Sequence, residues 1–115
     1  MADLNLLGRG RWWAGSILTN PTDGTVLVDS GPITAGTYLV ALVGTGSVAW
    51  VYDFQHRDAA NAANNNAQRR RPAAGNEDFL APNKVQVASG ERFRAVLVGN
   101  VTGEVQMSVF ALEQP

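Results

Sequence analysis

The sequence predicts an all-β domain, an antiparallel sandwich or jelly roll of about seven to eight strands. Three observations lead there. Apolar residues alternate with polar ones over short runs, as in residues 84–88 (KVQVA) and 104–112 (EVQMSVFAL). Turn chemistry separates the runs at short intervals, at Asp23-Gly24, Ser30-Gly31-Pro32, Gly44-Thr45-Gly46, Ser89-Gly90 and residues 99–103 (GNVTG). No long stretch carries a helical period. A chain of 115 residues makes one domain, and at that size it buries roughly 65% of its unfolded surface, enough for a core without covalent staples.

Residues 1–10 form a short N-terminal arm ahead of the sandwich domain, 11–115. Gly8 and Gly10 interrupt its apolar residues, Leu4, Leu6 and Leu7, so an independent helix is not expected. Either the arm frays, or it lies on a neighbouring subunit and buries those leucines. Residues 11–18 (RWWAGSIL) read as a strand in which adjacent Trp12 and Trp13 face opposite sides, so one enters the core and the other meets the surface or an interface. The turn 20–24 (NPTDG) follows, with proline presetting φ and Asp-Gly permitting a reversal, and then a strand at 25–29 (TVLVD).

The most prominent stretch is 36–56, GTYLVALVGTGSVAWVYDFQH. Its first half is apolar on both alternating sets, with Tyr38, Val40 and Leu42 on one and Leu39, Ala41 and Val43 on the other. Such a strand wants cover on both faces. In its second half Val48, Trp50, Tyr52 and Phe54 point one way. Gly44-Thr45-Gly46 between the halves predicts a hairpin that serves as the spine of the domain.

Residues 57–75 (RDAANAANNNAQRRRPAAG) shift abruptly to Ala, Asn and Arg, without a β-branched or aromatic residue, and are expected as an inserted loop. A short helix capped by Asp58 competes with that reading, weakened by Asn64, Asn65 and Asn66 and ended by Pro72. Arg57, Arg69, Arg70 and Arg71 stand against Asp58, a local excess of +3. The segment is either a solvated loop or a projection that docks into another chain, its arginines meeting carboxylates or carbonyls. Residues 76–83 read as a transition. Strands then follow at 84–88, 91–98 and 104–112, with Val85, Val87 and Phe93 inward, Arg92 and Arg94 outward, and Val105, Met107 and Val109 on one side of the last opposite Gln106, Ser108 and Phe110. Residues 37–43, 95–98 and 109–112 are apolar on both faces at their centres, which a lone sandwich does not need and a sheet-to-sheet oligomer does.

Chemistry is sparse. There is no cysteine, which excludes disulfides, thiolate metal sites and a cysteine nucleophile and suits a reducing cytoplasm. The single histidine, His56, lacks the convergent partners of a metal site; Asp58 could orient it, but no nucleophile elbow accompanies the pair. No phosphate-binding loop or dinucleotide fingerprint occurs. No catalytic, cofactor-binding or metal-binding residue is assigned, and no enzyme is expected. A net charge of −1 offers nothing to nucleic acid or to an anionic membrane, despite Arg69-Arg70-Arg71. The N-terminus has no basic leader before a long apolar region, and no run reaches the ~20 apolar residues that span a bilayer.

The segments GRWWAGSIL, AGTYLVALV, RDAANAANNN, ERFRAVLVGNVTG and VQMSVFAL together resemble small phage virion proteins, and more narrowly the trimeric jelly-roll cement, or head decoration, proteins of icosahedral capsids. The resemblance lies in style and strand order. It implies a homotrimer, made in the host cytoplasm and carried on the virion surface, that clamps the major capsid protein against internal pressure. The residues it nominates for contact with capsid or sister subunits are Leu4, Leu6, Leu7, Trp12, Trp13, Arg57, Asn64, Asn65, Asn66, Arg69, Arg70 and Arg71. The competing expectation is a carbohydrate- or receptor-binding module of a phage tail or fibre. That module needs an exposed aromatic platform, from Trp12 or Trp13, Trp50 and Tyr52.

Overall fold

The computed structural model describes residues 10–61, 64–75 and 78–113, with the side chains of these outside 11–16, 64–67, 78–83 and 110–112. The described chain is all-β. Eight strands follow in order: β1 (Gly10–Thr19), β2 (Val26–Asp29), β3 (Gly36–Gly46), β4 (Val51–Arg57), β5 (Asn64–Arg70), β6 (Asp78–Val87), β7 (Arg92–Val98) and β8 (Glu104–Glu113). Every ladder is antiparallel: β1 with β8, β2 with β7, β3 with β6 and β4 with β5. Those four nested pairs describe one long two-stranded ribbon folded at β4–β5. Two further ladders, β3 with β8 and β4 with β7, roll the ribbon into sheets ordered β1-β8-β3-β6 and β2-β7-β4-β5. The result is a jelly-roll sandwich.

The core lies between the sheets and follows the period-two alternation of the sequence. One sheet contributes Tyr38, Val40, Leu42, Val87, Val105, Met107 and Val109, and the other Leu27, Val28, Tyr52, Phe93, Ala95 and Leu97. A register shift between Val26 and Val28 lets two successive β2 residues, Leu27 and Val28, both be buried. Among the polar ends of the large core side chains, the Tyr38 hydroxyl meets Thr34 Oγ1 at 3.0 Å and donates to the Thr34 carbonyl at 3.1 Å.

The expected central hairpin does not form. Strand β3 runs straight through Gly44-Thr45-Gly46, still paired with β8 as far as Gly46 opposite Val105, and β4 belongs to the other sheet. Residues 47–50 instead carry the chain across the sandwich. Ser47 extends the β8 ladder by donating its N–H to the Glu104 carbonyl at 2.9 Å, while its Oγ accepts the Glu104 N–H at 2.9 Å. Trp50 N–H then donates to the Pro72 carbonyl at 3.2 Å. The glycines serve the indole of Trp50, which is 3% exposed and stacks on Tyr52 at 4.8 Å. A Cβ on Gly46 would lie 2.7 Å from Trp50 Cδ1, and one on Gly44 would lie 3.1 Å from its Cη2 and 3.0 Å from Met107 Cε. Absent side chains therefore mark a close approach here rather than a reversal.

Two further expectations change. The Asp-Gly turn does not fold β1 back on β2; it bridges the sheets and is fastened to the 99–103 turn, where Asp23 Oδ1 accepts the Gly99 N–H at 2.6 Å and Asn20 Oδ1 accepts the Gly103 N–H at 2.8 Å. The stretch 57–75, expected as a loop, carries strand β5, and β6 begins at Asp78 within the expected transition. Both strands lie at sheet edges. An edge strand is held by one ladder and does not need a β-branched or aromatic inventory, which is why Asn64–Arg70 serves. Pro82 falls where the β3–β6 register slips, between Val40 and Leu42, and an edge strand tolerates its missing N–H.

The Trp50–glycine contact predicts strong coupling in a double-mutant cycle. Gly46→Ala should cost about 1–3 kcal/mol through overpacking, and Trp50→Ala about 3–5 kcal/mol. In the Trp50→Ala background the Gly46→Ala penalty should largely vanish. Denaturant unfolding of the four proteins measures this; additive penalties would mean that the glycine is not there for the indole.

Candidate functional site

The residues nominated from sequence do not converge on one site. Leu4, Leu6 and Leu7 lie outside the described residues. Trp12 and Trp13 are in β1, opposite Phe110 and Val109 in the ladder with β8, and Asn64, Asn65 and Asn66 are in β5 opposite the end of β4; their side chains lie outside the described set. Arg57 ends β4 and closes the turn that follows. Its Nη2 donates to the Asn61 carbonyl at 2.7 Å and its Nε to Asn61 Oδ1, with Asn61 in the left-handed region at φ 56°. Arg69 crosses the β4–β5 ladder to Asp53 as a bidentate pair, Nε to Oδ1 at 2.8 Å and Nη2 to Oδ2 at 3.0 Å. This bond, followed by the nearby charges of Arg69 and Arg71 and opposed by partial burial, holds the Asp53 carboxyl below its ordinary pKa. Arg70 is half-buried and Arg71 is exposed.

His56, near the end of β4, is largely buried. Its side chain is 13% exposed, its ring lies 4.8 Å from that of Phe93, and its Nε2 meets Glu91 Oε1 at 3.0 Å. Glu91 is thus a carboxylate partner of His56. Glu91 Oε1 also accepts the Ala88 N–H at 2.8 Å, so one carboxylate closes the 88–91 turn and ties it to β4. The pair borders an open cleft of about 590 Å³, also lined by Gly36, Thr37, Gln86, Val87 and Ala88. A histidine bonded in this way braces the end of the sandwich. Among the described residues no three His, Asp or Glu side chains gather as metal ligands.

The outward surfaces of the two sheets are the more distinctive features, and they differ in chemistry. On the β1-β8-β3-β6 sheet, Leu39 and Val43 of β3 are half-exposed on either side of buried Ala41, and Ile17 of β1 is 64% exposed beside exposed Gln106. On the β2-β7-β4-β5 sheet, the outward positions of β4 and β7 are Val51, Asp53, Gln55 and Arg57 facing Val98, Val96, Arg94 and Arg92. Arg92 and Arg94 were read from sequence as merely outward. Their position beside Arg57 needs the β4–β7 pairing to be seen.

Trp50 and Tyr52, two members of the aromatic platform a glycan-binding module would use, are in the core at 3% and 0% exposure. No protein-family model matches this chain, and no curated protein shows significant similarity to it.

The Asp53–Arg69 pair predicts a pH signature. A carboxylate whose folded pKa is depressed adds stability above its unfolded value, near ~3.9, and loses it as pH falls through the folded value. Arg69→Gln should therefore be slightly less stable than the parent protein at pH 7, the small effect of an exposed pair. The difference should close as the pH is lowered below the ordinary aspartate range. Thermal melts of both proteins across acid pH check this, and a pH-independent gap would assign the loss to packing.

Proposed function

We propose that the protein is a structural virion protein, a trimeric capsid cement that binds and stabilises a lattice of major capsid protein. The observation that carries this reading is the set of aliphatic side chains on the otherwise polar outer face of the β1-β8-β3-β6 sheet. One sandwich needs apolar side chains only between its sheets. Here Ile17, Leu39 and Val43 add aliphatic surface on the solvent side, around a core already complete without them. Covering that face against sister subunits removes it from water. The jelly roll itself supports the reading, since a rigid sandwich keeps both outer faces in fixed relation.

Such a protein works by geometry rather than by chemistry. Three copies joined through one face present three identical second faces to neighbouring capsid subunits. Each contact is modest, but once one is made the others form at high effective concentration, so the assembly holds far more tightly than any single contact. The rigidity of the subunit matters because a compliant linker between contacts would dilute that concentration. A glycan- or receptor-binding module is less well supported, since Trp50 and Tyr52 are spent in the core.

Light scattering of the purified protein tests the assembly. A trimeric mass is expected for the parent, and Ile17→Glu or Val43→Glu should lower it to that of a single chain while the far-UV spectrum stays β. Both residues point away from the core, so charge there opposes association without opening the sandwich. A parent protein that stays monomeric at every concentration would remove the trimer and with it the multivalent mechanism.

A further inference from the structure

We propose that the outer face of the β2-β7-β4-β5 sheet docks an acidic segment of another protein, its carboxylates pairing with Arg92 and Arg94 and its aliphatic groups packing on Val51, Val96 and Val98. This goes beyond the capsid reading and does not depend on the trimer. The β4–β7 ladder sorts the face into two halves. Val51 lies opposite Val98 and Asp53 opposite Val96; then Gln55 lies opposite Arg94 and Arg57 opposite Arg92. Exposed Val26 of β2 widens the aliphatic half, since it pairs with Val96.

The guanidinium half is built rather than incidental. Like charges directly opposite each other in a ladder destabilise it, yet Arg57 and Arg92 stand so. Gln55, only 9% exposed, holds the group together: its Oε1 accepts from Arg94 Nε at 2.9 Å and from Arg57 Nη1 at 3.4 Å. Asp29 approaches Arg92 at 3.5 Å between its Oδ2 and Nη1. Donor capacity is left over. Neither Nη of Arg94 bonds to a described residue. Burial, then the charges of Arg57 and Arg92, pull the Arg94 pKa below its usual value, with Asp29 partly offsetting them. Arg94 therefore stands among like charges with donors of its own to spare.

Charge complementarity selects the occupant. Planar guanidinium forks match carboxylates bidentately, and an adjoining aliphatic strip suits side chains rather than a sugar-phosphate backbone. A net charge of −1 gives the protein no long-range pull on a nucleic acid. A second copy docking the same face about a two-fold axis along the strands would set guanidinium against guanidinium.

The test uses the full chain and a fluorescently labelled peptide of alternating Glu and Val, read by anisotropy. Saturable binding is expected, weakening as salt is raised. Arg92→Gln with Arg94→Gln should weaken it by about tenfold or more, the loss of charge-assisted pairs. Arg94→Lys, which keeps the charge but not the fork, should fall between. Lys84→Gln, an exposed cation on the other sheet, should leave the affinity within about twofold. Far-UV spectra of each variant verify the fold. No saturable binding, a double variant within about twofold of the parent, or a single-stranded oligonucleotide that binds more tightly than the peptide would overturn the proposal; the last would make the face a phosphate surface.

Discussion

Trp50 resting on Gly44 and Gly46 is the contact on which the architecture turns. The indole belongs to the start of one sheet and the two glycines to the inner face of the other. Pressing a large ring onto bare backbone brings the sheets together at that end and obliges the chain to cross between them after Ser47. With β3 and β4 thus separated, β3 pairs with β8 and β4 with β7, and the folded ribbon rolls into a sandwich. Burying an aromatic of this size contributes on the order of 5 kcal/mol, enough to leave the indole Nε1 without an acceptor among the described residues.

The roll also decides what the outside can do. It closes the core without using Leu39, Val43 or Ile17, so one face keeps aliphatic groups among polar ones such as Gln106 and Ser108. On the opposite face it brings Arg57 from one strand beside Arg92 and Arg94 from another, with Gln55 between them. A molecule with two chemically different flat faces on a stiff core is suited to sitting between unlike neighbours. The ends are braced by small polar devices, His56 with Glu91 at one and the Asn20 and Asp23 side chains on the 99–103 turn at the other. Neither brings a nucleophile and a base together.

Legibility followed the range of each interaction. The alternation placed Phe93 inward between Arg92 and Arg94, and sorted Val105, Met107 and Val109 onto one side, because the pleat imposes a period of two on any strand whatever its partner; in 37–43 and 95–98, apolar on both sets, it left the buried set open. The Gly44-Thr45-Gly46 hairpin was misread because glycine signals both a reversal and a close approach, and only the position of Trp50 separates the two. Strand β5 was missed because its residues have no strand preference; the β4 ladder and the Asp53–Arg69 bond hold it instead. Sequence proximity offered Asp58 as a carboxylate that could orient His56, whereas Glu91, 35 residues away, is the one bonded to its Nε2.

By itself, then, the sequence determined that the chain is all-β, roughly where most strands run and which side chains each turns inward. These are properties of local dihedral preference and of alternation, written in neighbouring residues. The tertiary structure alone decided which strands pair, which sheet each joins, and which charges meet on the outer faces. Those outcomes rest on contacts between residues far apart in the chain, where one indole fitting over two glycines outweighs the turn preference of the glycines themselves.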